Sequence, residues 1–189
     1  MQAVYHAFLS YSYAFDVELL SLVQSIGPSW LSVAKFLSHG VGSYPIMVAA
    51  FFVALLLIDK WRVALEILVI AAVSFAILLS AKYYFHIERP YVIDSAVIAY
   101  DNDDGFALPS GHALMSMVVL GWVAHRHPKS RVLMWGSIAL ILLVGLSRIY
   151  LGVHYPSQVL AGWVFGILIL YLFYVIDRRL WSPFQKNLR

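Results

Sequence analysis

Five stretches of the chain are nearly free of polar side chains: Tyr44–Ile58, Val63–Tyr84, Ala113–Ala124, Val132–Ile149 and Val159–Ile176. Each is a candidate span for a bilayer, where a helix needs about 20 apolar residues. The first and third are short for that and gain length from their flanks, Gly40–Ser43 and Ser110–His112. Polar flanks are tolerated at the interface or around a protein-lined cavity. Ahead of these segments, Val17–Ser38 is largely apolar but carries Gln24, Pro28 and Lys35. It is expected either as a sixth span or as amphipathic helices in the interface. No repeat or low-complexity linker divides the chain. A single domain is expected over residues 1–189, with an N-terminal segment 1–39, a core 40–177 and a tail 178–189. The longest polar stretch, His86–Pro109, separates the second and third spans. Its middle, Tyr100–Gly105, is acidic and turn-prone, and Asp101, Asp103 and Asp104 read as a solvated loop.

Composition turns this pattern into a fold class. The chain is 62% hydrophobic and 12% charged, against about half and about a quarter in soluble domains. Too little polar surface remains to solvate a globule, so lipid is the expected solvent. The fold expected is all-α, a polytopic membrane bundle of five to six transmembrane helices. There are no cysteines, which excludes disulfides, thiolate metal sites and a cysteine nucleophile. Residues 1–16 hold no Lys or Arg, so the charged start of a cleaved signal is missing and insertion is expected to use the spans themselves. Charge sets the topology. Lys60, Arg62, Arg126, Lys129, Arg131, Arg178, Arg179, Lys186 and Arg189 fall on one side, and Lys35, Lys82, Arg89 and Arg148 on the other. The positive-inside rule makes the first side cytoplasmic.

The basic residues on the outer side are not scattered. Lys82 ends the second span, Arg89 opens the following loop and Arg148 ends the fourth span; His112 opens the third span and His154 precedes the fifth. Ionisable groups at one membrane depth usually face a cavity or each other. Permanent cations brought together repel, and an anion with several oxygens relieves that repulsion. Phosphate suits the set, since Arg offers a planar fork and Lys a point charge. Pro109-Ser110-Gly111-His112 then opens a helix whose free N–H groups favour an anion. Gly111 permits close backbone approach, and Ser110 adds a hydroxyl. Two histidines allow a two-step reaction, one attacking phosphorus and the other acting as acid and then base.

The chain resembles the type 2 phosphatidic acid phosphatase (PAP2) superfamily in three motifs. Lys82-Tyr-Tyr-Phe-His-Ile-Glu-Arg89-Pro90 is similar to Lys-x6-Arg-Pro. Pro109-Ser110-Gly111-His112 is the second motif. Ser147-Arg148-Ile-Tyr-Leu-Gly-Val-His154 is similar to the third, Ser-Arg-x5-His-x3-Asp. The resemblance covers about residues 40–177. It implies that His154 is the nucleophile and His112 the acid and base, with Lys82, Arg89, Ser110, Gly111 and Arg148 holding phosphate oxygens. Where the family usually has Asp, this chain has Gln158. A Gln carbonyl can fix the tautomer of His154 but supplies no charge. The glucose-6-phosphatase branch is similar to this chain in that pattern.

The resemblance implies a metal-independent lipid phosphate or diphosphate phosphatase that needs no cofactor. Its partners would be the bilayer and a membrane lipid substrate, with no nucleic acid. Undecaprenyl diphosphate is the first expectation, ahead of phosphatidylglycerophosphate and phosphatidic acid. The alternatives are a lipid phosphotransferase using the same phosphohistidine, and a binding protein whose chemistry Gln158 impairs. The location expected is a bacterial inner membrane, with the site facing the periplasm or exterior.

Overall fold

The computed structural model describes residues 2–57 and 60–181, with side chains from residue 13 to residue 179 within those bounds. Ile58 and tail residues 182–189, including Lys186 and Arg189, lie outside the described residues. Helix α1 (Gln2–Gln24) leads to a 3-10 turn (Pro28–Trp30), α2 (Leu31–Lys35) and a π-helical turn (Phe36–Val41). Then follow α3 (Tyr44–Leu57), α4 (Trp61–Phe85), the single turn α5 (Pro90–Ile93), α6 (Gly111–Arg126), α7 (Arg131–Tyr150) and α8 (Pro156–Ile176). A π-helical turn, Asp177–Trp181, extends α8. The chain is thus the all-α bundle that its apolar segments predict.

Among the described residues, Trp61–Ile93, Arg131–Tyr150 and Pro156–Arg179 are each long and apolar enough to cross a bilayer. Pro28–Val41 and Tyr44–Leu57 meet at a bend of 57° and are long and apolar enough only together, as a broken span or a re-entrant loop. The segment Val17–Ser38 is therefore divided. Its first part completes α1, the chain breaks at Gly27 and Pro28, and its second part leads into the bent pair.

Helix α6 explains how a short apolar segment can serve such a bundle. Its 16 residues reach about 24 Å, less than the hydrocarbon thickness of about 30 Å. The helix sits at the centre, however, packed by α8, α7 and α4. Leu114, Val118, Val119 and Trp122 are buried along it. A helix wrapped by protein can end in a polar cavity without exposing its backbone to lipid. The outer faces of α4 and α8 instead present Val69, Val73, Leu79, Val164, Ile167 and Leu168. Exposed apolar rows on this scale mark a lipid-facing surface.

Each end of the bundle carries a different polar cluster. At one end Arg126 of α6 joins Glu66 of α4 and Asp177 after α8. Its guanidinium donates to both Glu66 oxygens at 2.8 Å and to Asp177 at 2.7 and 3.1 Å. Trp122 Nε1 donates to Glu66 at 3.1 Å, and Arg126 lies over the Trp122 ring. At the other end α1 is tied to the turns beside the motif residues. The Asp16 carboxylate accepts from Ser157 N at 2.8 Å and from Ser157 Oγ at 2.5 Å, satisfying an N–H in the first turn of α8. Gln24 Nε2 donates to the carbonyls of Ile98 (2.7 Å) and Tyr150 (3.0 Å).

Candidate active site

The third motif is folded by the way α7 ends. Leu151 caps the helix, and Gly152 follows with φ 74°. Gly152 N donates to Ile149 O at 3.0 Å and Val153 N to Arg148 O at 3.3 Å, the paired bonds of a glycine-terminated helix. The reversal brings His154 back toward Arg148, two residues before α8 begins at Pro156. The second motif is held against the same helix. Ser110 N donates to Gln158 O at 3.0 Å. Gly162 of α8 lets the start of α6 approach, because a Cβ there would stand 2.6 Å from Ser110 O. The first motif closes the set: Lys82 lies in the last turn of α4, His86 ends that helix in the left-handed conformation at φ 50°, and Arg89 precedes Pro90.

These elements surround a cavity of about 400 Å³. Lys82, Arg89, Gly111, His112 and His154 line it. Residues from three motifs, spread over 73 positions (82 to 154), thus meet in one place. Three of the expected site residues are not on the wall: Gln158, buried behind His154, Ser110 and Arg148. Ser110 is fully buried behind the wall, with a hydroxyl that has no hydrogen-bond partner among the described residues. Arg148 is also fully buried, and a carboxylate stands in front of it.

That carboxylate is Asp103, and its position corrects the reading of this residue as part of a solvated loop, whereas Asp104 is exposed as that reading has it. Asp103 Oδ2 lies 2.7 Å from Arg148 Nη2 and 3.0 Å from Arg89 Nη1. Burial raises its pKa, but Arg148 and then Arg89 outweigh burial and hold the carboxyl below its ordinary value. Asp101 is likewise engaged, 2.6 Å from His39 Nε2. Clustered cations require a counter-anion, and that requirement was the one sign in the sequence that a nearby Asp would turn inward. Ser38, whose hydroxyl accepts from Arg148 Nη1, carried no such sign.

His154 is 1% exposed and its two ring nitrogens have distinct surroundings. Nδ1 is 3.3 Å from Gln158 Oε1, and Nε2 is 3.1 Å from Arg89 Nη1. Gln158 Oε1 also accepts from Tyr155 N at 3.0 Å. That bond fixes the amide with its oxygen inward, so Nδ1 must carry the hydrogen and Nε2 keeps a lone pair. Burial, reinforced by Arg89, Arg148 and Lys82, depresses the pKa of His154 well below the ordinary imidazole value. The ring is therefore neutral at pH 7, the state in which Nε2 can attack an electrophile. Arg89 Nη1 has two hydrogens for three acceptors: His154 Nε2, Asp103 Oδ2 and Val153 O at 3.1 Å. His112 is half-buried at the cavity edge, with its ring edge-on to Tyr44 at 5.6 Å.

The comparisons agree with the motifs and the fold. The sequence profile of the PAP2 superfamily matches residues 62–182, and the chain belongs to that superfamily. It is 33% identical over 95 residues to phosphatidylglycerophosphatase B of Bacillus subtilis, covering 45% of this chain and 46% of that protein. It is 33% identical over 138 residues to undecaprenyl-diphosphatase of Sulfolobus acidocaldarius, covering 70% of this chain and 64% of that protein. The chain therefore spans about half the length of the first relative and just under two thirds of the second. The fold is similar to the crystal structure of a transmembrane PAP2-type phosphatidylglycerolphosphate phosphatase from Bacillus subtilis. The TM-score is 0.73 at 21% identity, over 95% of this chain and 96% of that one.

Proposed function

We propose that this chain is an integral membrane phosphatase acting on a lipid phosphate or diphosphate through a phosphohistidine at His154. One observation carries the reading. The cavity that collects Lys82, Arg89, His112 and His154 shares Tyr44 and Phe75 with an apolar groove of about 460 Å³ along α3 and α4. The groove continues over Pro45, Val48, Phe52, Leu68 and Met115. A phosphate head would sit among cations while its hydrocarbon tail stays in an apolar channel open to lipid.

The chemistry then follows from the groups. Lys82, Arg89 and Arg148, with the start of α6 at Ser110 and Gly111, hold the phosphoryl oxygens. The Nε2 lone pair of His154 attacks phosphorus, the bond to the leaving oxygen breaks, and Gln158 Oε1 takes the Nδ1 hydrogen bond throughout. His112 protonates the leaving oxygen; a bound phosphate dianion raises its proton affinity for that task. The neutral His112 then removes a proton from water, the hydroxide attacks phosphorus, and the N–P bond breaks to release inorganic phosphate. No step needs a metal. The basic loops at the other end, with Arg62, Lys129 and Arg131, support a cytoplasmic position for that end and an outward-facing site. A bacterial inner membrane is the expected location.

Undecaprenyl diphosphate is the first substrate to test, supported by the similarity to the undecaprenyl-diphosphatase of Sulfolobus acidocaldarius. Purified protein in detergent micelles with EDTA would be given undecaprenyl diphosphate, phosphatidylglycerophosphate or phosphatidic acid, and phosphate release measured. Release that persists in EDTA and vanishes in His154→Ala is expected. Release unchanged by that substitution would overturn the mechanism.

A further inference from the structure

All three permanent cations of the site are engaged by one loop. Lys82 Nζ donates to Phe106 O. Arg89 Nε donates to Gly105 O at 3.1 Å and its Nη2 to Asp104 O at 3.0 Å. Arg148, the deepest, reaches Asp103 Oδ2. The loop is pinned from outside by Tyr91 Oη, which donates to Asp103 O at 3.0 Å, and by the contact of His39 with Asp101. Arg148 Nε, by contrast, is buried and has no partner among the described residues. Asp103 thus stands where a phosphate oxygen would have to stand to bridge Arg89 and Arg148. No anion can reach Arg148 from the cavity until that carboxylate moves.

We infer that Asp103 is a specificity-determining residue: a tethered anion that shuts monoanionic phosphodiester lipids out of the site and yields to phosphomonoester or diphosphate dianions. The inference rests on the reading of this site as a lipid phosphate seat. Its physical basis is charge. The site opens onto lipid, where phosphodiester headgroups vastly outnumber any substrate. A phosphodiester brings one negative charge, as Asp103 does, so exchanging one for the other gains no net Coulomb energy. It also loses the advantage of an intramolecular ligand, whose effective concentration is high. A terminal phosphate brings a second negative charge to three cations in a buried setting, where each charge counts for more than in water. Three bare cations would instead bind the surrounding phosphodiesters indiscriminately.

The test uses the purified full chain in detergent and three variants: Asp103→Asn, Asp103→Ser and, as control, Asp94→Asn, a residue outside the cavity that caps Ala96 N. Inhibition of turnover by inorganic phosphate is measured first, then inhibition by phosphatidylglycerol added to the micelles. Both Asp103 variants should bind phosphate on the order of tenfold more tightly than the wild type, the scale of one charge-assisted hydrogen bond. They should also become sensitive to phosphatidylglycerol at surface fractions that leave the wild type and Asp94→Asn unaffected. Two substitutions of different size guard against a local packing effect, and thermal midpoints confirm folding. Unchanged or weaker phosphate binding in folded Asp103 variants would overturn the inference and leave the phosphatase reading standing. Direct phosphate binding that Arg148→Ala leaves unchanged would overturn the phosphate seat itself, and this inference with it.

Discussion

Gln158 Oε1 lies 3.3 Å from His154 Nδ1 while accepting from Tyr155 N at 3.0 Å. The second bond makes the first directional, because an inverted amide would set two N–H groups against each other. A residue without charge can therefore still hold His154 in one tautomer. Gln158→Leu keeps the bulk and removes the acceptor. It is expected to lower kcat on the order of 10²-fold or more, as loss of the correct tautomer does in other histidine-dependent enzymes, with KM little changed. Gln158→Asp restores a charge and is expected to preserve or raise kcat. Steady-state kinetics on both variants decides the matter: a Leu variant at the wild-type rate would remove the orienting role.

The depressed pKa of His154 has a consequence for stability. Burial comes first among its causes, followed by Arg89, Arg148 and Lys82, with His112 adding to them. Below about pH 6.5 the unfolded chain takes up a proton at this residue that the folded state refuses. The stability tied to its neutral form is fully present above that pH and falls as pH drops toward the folded value. The loss is no more than about a tenfold change in the folding equilibrium per pH unit. Thermal midpoints in detergent should therefore decline less between pH 7 and pH 5 in His154→Asn than in the wild type. Parallel declines would mean that His154 is not held neutral.

Gly152 shapes the turn that presents His154. At φ 74° a side chain is strained, and a Cβ would also run into the backbone carbonyl of Ile98. Gly152→Ala should cost about 1–3 kcal/mol of stability and reduce activity further by displacing His154. Gly136→Ala, inside helix α7, where a Cβ meets nothing within 4 Å, is the control. It should stabilise by about 0.5–1 kcal/mol without changing kcat. Denaturation and turnover measured on both variants separate the two cases.

What could be read in the sequence follows from which forces are local. The apolar segments gave α4, α7 and α8 closely, because a bilayer selects on composition over a single helix. Motif spacing brought Lys82, Arg89, His112 and His154 to one end, because helix length converts sequence distance into depth. Hydropathy alone did not locate the break at Gly27–Pro28 or the bend before Tyr44, because the segment is apolar on both sides of each; the Gly-Pro pair was the local signal for the first. Asp103 was misread for a related reason. A carboxylate in a polar loop looks solvated until the fold places two guanidinium groups against it. Ser38 and Asp16 serve the site from helices outside the motifs, so no spacing rule pointed to them.

Arg126 at the opposite end tests whether the two polar clusters are independent. It is one cation between two carboxylates, each partner about one fifth exposed, and it joins α4, α6 and the turn after α8. Arg126→Ala would leave Glu66 and Asp177 facing each other without a counter-charge, and removing one member of a partly buried ion pair costs about 2–4 kcal/mol. Glu66→Gln keeps an acceptor for Trp122 Nε1 and loses only charge, so its cost should be nearer about 1 kcal/mol. Neither residue touches the cavity of His154, and α6 separates the ends by most of its length. At a temperature where both variants are folded, kcat and KM should stay within about twofold of wild type, since distant sites behave independently. Scanning calorimetry or a thermal-shift assay in detergent, paired with kinetics, gives both readouts. A variant that kept its stability and lost kcat would show that the ends of α6 are coupled, and that the Arg126 cluster does more than hold three helices together.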